Sequence, residues 1–106
     1  MFTCIQWEWP GEGVRCYDEL GDDRWATRHI EIRTADGGIA AACALDEVLA
    51  ARDSGVPGAV TAYEARFGVL PDGPFPAAAG EPLPADEFER LWRSSRRRIP
   101  PPAAGR

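Results

Sequence analysis

The strongest constraint on this chain is an alternation of side-chain character over its first 45 positions, broken three times by turn residues. A period of two marks a strand that sets one face against a core. Residues 1–9 place Thr3, Ile5, Trp7 and Trp9 on one face and Phe2, Cys4, Gln6 and Glu8 on the other. Pro10-Gly11-Glu12-Gly13 then reads as a turn, residues 14–20 as a second strand, 21–24 as a turn and 25–34 as a third strand. Asp36-Gly37 is the strongest short hairpin signal in the chain, and residues 39–45 supply a fourth strand. The expectation is an α+β fold on a four-stranded antiparallel meander.

Opposed residues in such a meander must share a face, so register can be tested against chemistry. In the first hairpin Trp7 meets Cys16 and Trp9 meets Val14. In the second, Asp18 opposite Arg28 and Arg15 opposite Glu31 give two opposite-charge pairs, while Cys16 meets Ile30 and Val14 meets Ile32. A two-residue turn at Asp36-Gly37 sets Ile32 by Ala41 and Ile30 by Cys43. These registers name one core face, from Ile5, Trp7 and Trp9 through Cys16, Leu20 and Ile30 to Ala41, Cys43 and Leu45. The other face carries Glu8, Tyr17, Glu19, Trp25, Thr27, His29 and Glu31, a mixture of aromatic and charged groups suited to an interaction surface.

The core face needs a cover. Phe88, Leu91 and Trp92 recur at helical spacing, Pro84 suits a helix start, and acids in the first turns with Arg93 and Arg96–Arg98 in the last complement the helix dipole. Pro100-Pro101-Pro102 stops that helix. A short helix is expected over 46–52, and Val60, Tyr63 and Phe67 form a second stripe that Gly68 ends. Residues 69–84, with five prolines, read as a crossing loop pinned by Leu70, Phe75 and Leu83. The expectation is a single domain over 1–98 and a Pro-rich, disordered tail over 99–106.

Charge narrows the function classes. The 106 residues hold twelve basic residues, all Arg, and seventeen acids. No acid follows Arg90, and five of the Arg lie from Arg93 onward, so residues 1–92 carry seven Arg against seventeen acids, or −10. Such a body repels phosphate, which argues against nucleic acid as a partner. The Arg96–Arg98 run reads as a solvated helix end. No apolar run approaches the ~20 residues of a membrane span, and there is no export leader, so a cytoplasmic protein without membrane contact is expected. Three cysteines without C-x-x-C fit neither a disulfide framework nor a zinc site, so no metal or cofactor is expected. Cys16 and Cys43 are placed two strand spacings (~9.5 Å) apart, too far to bridge.

Seven residues stand out as candidates for ligand or partner binding: Trp7, Asp18, Arg28, Tyr17, Trp25, His29 and Trp92. Asp18 and Arg28 carry charge on the expected core face, either as a structural ion pair or as a pocket in which Arg28 holds an anion. His29, the only histidine, is placed on the outer face opposite Tyr17 with no nucleophile beside it, as a solvated residue. Asp22-Asp23 lacks the D-x-D-x-D-G spacing of a calcium loop, and Gly11-Glu12-Gly13 joins two strands rather than a strand and a helix, so both are turns.

Glu19-Leu20-Gly21-Asp22-Asp23-Arg24-Trp25, followed by Arg28, Glu31, Ile32 and a D-G turn, resembles the signature stretch of a bacterial family of small domains of unknown function. The Trp-rich first strand and the helix Phe88-Glu89-Arg90-Leu91-Trp92 are similar to that family too. The resemblance covers residues 1–38 and 83–93. It implies the sheet and the closing helix, and it implies no activity.

The reading that follows is a small acidic, non-enzymatic protein-binding module of immunity, antitoxin-like or adaptor type, steered to a basic partner. The alternative is a small-molecule site, or an accessory protein of a biosynthetic enzyme, with Trp7, Trp9, Trp25 and Trp92 as an aromatic wall between sheet and helix and Arg28 as anchor. An enzyme is the least supported class, because no nucleophile has a base beside it. The apolar fourth strand, with no Lys or Pro to protect its edge, is expected to pair with a second copy.

Overall fold

A computed structural model describes residues 2–100. The chain forms β1 (Thr3–Trp9), β2 (Val14–Leu20), β3 (Ala26–Arg33) and β4 (Ile39–Ala44), then α1 (Leu45–Asp53) and α2 (Ala59–Phe67). A two-residue β5 (Glu81–Pro82) and the closing helix α3 (Ala85–Arg98) follow. The α+β meander is the expected one with a strand added: β5 pairs antiparallel with β1, giving a five-stranded sheet in the order β4-β3-β2-β1-β5. The expected tail lies, from residue 101 on, outside the described residues.

The first hairpin has the expected register, with Trp7 opposite Cys16 and Trp9 opposite Val14. The second is one residue away from the expected pairing: Asp18 faces His29, Glu19 faces Arg28 and Cys16 faces Glu31. Opposite charges meet in either register, so charge matching could not choose between them. The choice is coupled to a bulge between Glu19 and Leu20, next to a turn in which Arg24 takes a left-handed φ of 69°. The third hairpin also differs. The Arg33 N–H donates to the Gly38 carbonyl and the Gly37 N–H to the Arg33 carbonyl, both at 2.8 Å, which closes a four-residue loop instead of a two-residue turn. With a second bulge at Glu31/Ile32, Glu31 now faces Ala41 and His29 faces Cys43.

A one-residue slip turns every side chain of a strand to the opposite face. His29 and Glu31 therefore join Trp7, Cys16 and Asp18, while Arg28, Ile30 and Ile32 join Cys4, Tyr17 and Glu19. The expected single core face is replaced by two covered faces. On one, α3 and Leu83 pack Phe88, Leu91 and Trp92 against Cys4, Tyr17, Ile30 and Ile32. On the other, the loop after α2 packs Leu70, Phe75 and Ala79 against Ile5, Trp7, Leu20 and Ala26. The helix thus covers the face opposite Trp7, the mixed outer surface does not exist as one open face, and Trp9 is 52% exposed instead of core.

The loop is anchored at both ends of its crossing. Gly68, with φ 96°, lies so close to β4 that a Cβ there would approach the Ala41 Cβ to 2.5 Å. Farther on, Arg24 donates from Nε to the Phe75 carbonyl at 3.1 Å, and its own carbonyl accepts the Phe75 N–H at 3.0 Å. Leu70, Phe75 and Leu83 pin the segment as the sequence suggests.

Side chains close the outer edge of β4. The Ala44 N–H donates to the Tyr63 hydroxyl at 2.9 Å, and Arg96 donates from Nε to the Ala42 carbonyl at 2.8 Å. Arg96 also pairs with Glu47 and stacks 4.2 Å from the Phe67 ring and 4.5 Å from the Trp92 ring. It is therefore a joint between α1, α2, α3 and β4, not a solvated helix end. Cys4, Cys16 and Cys43 are free and buried, and Cys16 and Cys43 flank Glu31 and His29 rather than Ile30.

Candidate functional site

The register that governs the sheet also assembles its most unusual cluster. Asp18 on β2 and His29 on β3 are direct neighbours, and Glu31 stands two residues from His29 on the same face. The His29 ring, 2% exposed, joins Asp18 Oδ1 through Nδ1 at 2.6 Å and Glu31 Oε2 through Nε2 at 2.8 Å. Trp7 Nε1–H donates to the second Asp18 oxygen at 2.7 Å. The result is a continuous chain, Trp7–Asp18–His29–Glu31, running from β1 across β2 to β3. Asp18 is wholly buried, whereas the Glu31 side chain keeps 31% exposure.

Electrostatics follow from that geometry. Burial alone pulls the His29 pKa down, but the hydrogen bonds and charges of Asp18 and Glu31 outweigh it and hold the value up at about 9. The hydrogen bond from His29 in turn holds Glu31 below the usual carboxylate range. At neutral pH the ring is an imidazolium donating from both nitrogens, with no lone pair left to take a proton. Cys16 sits nearby, and burial, with Glu31 and Asp18 adding to it, pushes its thiol up to about 12. An unassisted Cys16 is thus a poor nucleophile and His29 a poor general base. The expectation of a solvated histidine is corrected: the ring is buried because the Asp18 and Glu31 carboxylates compensate its charge.

Above this chain lies a cleft of about 300 Å³ between the sheet and the proline-rich loop, with Trp7, Trp9, His29 and Glu31 on one side and Pro71, Asp72, Pro74 and Phe75 on the other. Trp7 stacks edge-on against Trp9 at 5.4 Å and against Phe75 at 5.9 Å. Trp9 and Glu31 also border a second hollow of about 410 Å³ with Glu12 and Val14. The half-exposed indole therefore stands between two depressions, each edged by carboxylates.

Arg28 and Trp92 meet on the opposite face. Arg28 grips Glu19 through Nε at 2.9 Å and through a terminal nitrogen at 2.7 Å, and also pairs with Glu89. Its guanidinium lies 5.0 Å from the Phe88 ring and 5.2 Å from Trp92. The expected Asp18–Arg28 pair is replaced by these contacts, since the two residues point to opposite faces. Tyr17 is half-buried against this helix-covered core, and Trp25 is exposed in the turn before β3, away from both clusters. Of the seven candidates, the structure unites Trp7, Asp18 and His29 on one face and Arg28 and Trp92 on the other. Cys16, Glu31, Asp72 and Phe75 were not singled out. The sequence signal for two of them is the alternative register that pairs Cys16 with Glu31 and Asp18 with His29.

Among the described residues no helix is long and apolar enough to cross a membrane. No protein-family model, curated protein or solved structure matches the chain.

Proposed function

We propose that this protein is an acidic, non-enzymatic binding module whose partner is a basic protein surface, seated on the aromatic cleft around Trp9. The observation that carries the reading is Trp9 itself, 52% exposed, backed by Trp7 and flanked by hollows bearing Asp72, Glu31 and Glu12. Indole faces and carboxylates together suit guanidinium and ammonium groups, through cation–π attraction and charge-assisted hydrogen bonds. Proline-rich walls add rigidity, so little ordering cost opposes docking. The formal net charge of −5 favours approach of a basic partner and repels other acidic chains. A carboxylate-trapped His29 and a protonated Cys16 are consistent with a role outside catalysis.

Calorimetric titration with a short poly-arginine peptide tests this at low and moderate salt. The expected result is saturable binding that weakens as salt rises and falls about tenfold in Trp9→Ala. Absence of binding, or equal binding by Trp9→Ala, removes the reading. A small-molecule site has one observation in its favour, an open hollow of about 490 Å³ beside Arg28 and Trp92. Arg28 already satisfies two carboxylates there, so any anion must displace Glu89 or Glu19. A metabolite thermal-shift screen with Arg28→Ala as control distinguishes that class.

A further inference from the structure

We infer that Cys16, His29 and Glu31 form a binding site for a divalent zinc-class cation at the floor of the cleft. The inference goes beyond the docking reading and does not depend on it. The three residues supply one sulfur, one nitrogen and one oxygen, and these ligand atoms lie within 4.8 Å of one another. A tetrahedral zinc ion with bonds of about 2.0–2.3 Å needs its ligand atoms roughly 3.3–3.8 Å apart. The observed set is thus close to closure without movement of the backbone, because Cys16 and Glu31 are cross-strand partners and His29 lies two residues from Glu31 on that face.

The surroundings are those a metal-bound histidine requires. A ligating imidazole is oriented by a carboxylate on its other nitrogen, and that carboxylate is itself held by a donor. Here Asp18 holds Nδ1 at 2.6 Å and Trp7 holds Asp18 at 2.7 Å, which leaves Nε2 directed at the Glu31 carboxylate. The ion takes the place of the proton now shared between Nε2 and Glu31, and of the thiol proton of Cys16. The mixed S, N, O set suits zinc better than calcium or magnesium, which prefer oxygen alone. His29 and Glu31 border the cleft, which provides access and room for water in a fourth position. Spacing along the chain hides this set, since β2 and β3 contribute its members separately.

The test uses the metal alone. Zinc is titrated into the reduced protein against a chromophoric chelator, and cobalt(II) is titrated in parallel and followed by absorption. The expected result is one ion per chain, with a near-ultraviolet thiolate-to-cobalt charge-transfer band. Cys16→Ser, with Cys16→Ala as a second variant should the serine fail to fold, removes the band and weakens zinc at least about tenfold. Trp7→Phe keeps all three ligands but releases Asp18, and weakens zinc about tenfold. Cys4→Ser, on the helix-covered face, removes a thiol elsewhere and retains the wild-type affinity. Failure of the wild type to bind, absence of the cobalt band, or unchanged affinity in folded Cys16→Ser or Cys16→Ala overturns the assignment.

Discussion

The two faces of the sheet are covered by different means, and the contrast separates architecture from chemistry. Under α3 the cover is periodic: Phe88, Leu91 and Trp92 descend together, and the charged Arg28 is matched at the margin by Glu19 and Glu89. Under the proline-rich loop the cover is irregular, with Leu70, Phe75 and Ala79 as anchors and a cleft between them and the strands. Burial of large apolar side chains holds the first face. The second buries an ionic chain, and it is also the face with the exposed indole. A helix repeats every 3.6 residues and fills its side evenly, whereas a loop touches down only where a side chain happens to reach.

Four measurements would break or sharpen that contrast. The largest effect is expected from Phe88→Ala, because the ring is fully buried and its loss leaves a cavity between sheet and helix. A loss of about 3–5 kcal/mol in denaturant unfolding is expected, a large share of the ~5–15 kcal/mol typical of a domain. A loss under about 1 kcal/mol would show that the helix is not the main cover.

The loop face should respond to pH instead. His29 holds its proton up to a pKa of about 9 when folded, above the ordinary 6.5. Its stabilisation is complete below about pH 6.5 and fades as pH rises toward about 9, on the order of 3 kcal/mol in all. Urea unfolding of the metal-free protein, with chelator present, should show stability falling with pH across that interval, and His29→Gln should flatten the slope. A wild-type curve that rises or stays level would remove the charged His29 from the account.

Gly68→Ala comes third. It combines a left-handed backbone with a Cβ driven against Ala41, at an expected cost of about 1–3 kcal/mol. Because Gly68 begins the crossing, the variant should also loosen the loop, read as faster amide exchange near Phe75. An unchanged melting temperature would show that the loop takes its position from Arg24 instead. The smallest stability effect, about 1 kcal/mol, is expected for Trp9→Ala, which loses its edge-on contact with Trp7. Its indole is half exposed, so an effect on binding in a variant that stays folded would mark that face as the working one.

Much of the architecture was legible in the sequence, and the reason is periodicity. Phe88, Leu91 and Trp92 declare α3, and the Trp7/Cys16 hairpin follows from alternation around a glycine-rich turn. The other two registers were not legible, because a bulge inserts a residue without leaving a mark in composition. Arg28 has an acid across from it whether it faces Asp18 or Glu19, so charge matching was degenerate by one position. That single step moved His29 from solvent to the interior and carried Glu31 with it. The candidate site was thus readable in its members Trp7, Asp18 and His29, but not in its geometry. The loop was legible as a crossing pinned by Leu70, Phe75 and Leu83, but not in the face it covers: Leu70, Phe75 and Ala79 follow no period, and only contact with β1, β2 and β3 gives them a shared side.

The sheet's two outer borders have a consequence for how anything recognises this molecule. On β4, Tyr63 and Arg96 already engage the groups at Ala44 and Ala42 that a foreign strand would need. On the other side β5 is two residues long and ends in Pro82, which has no N–H to offer. Main-chain zippering, the most sequence-tolerant mode of protein association, is therefore hindered at Ala42 and Ala44 of β4 and where Pro82 lies beside Ile5 of β1. At those places a visitor is identified by what its side chains are, not by its ability to extend. That restriction favours discrimination among partners and also protects the protein from indiscriminate fibre growth in a crowded solution.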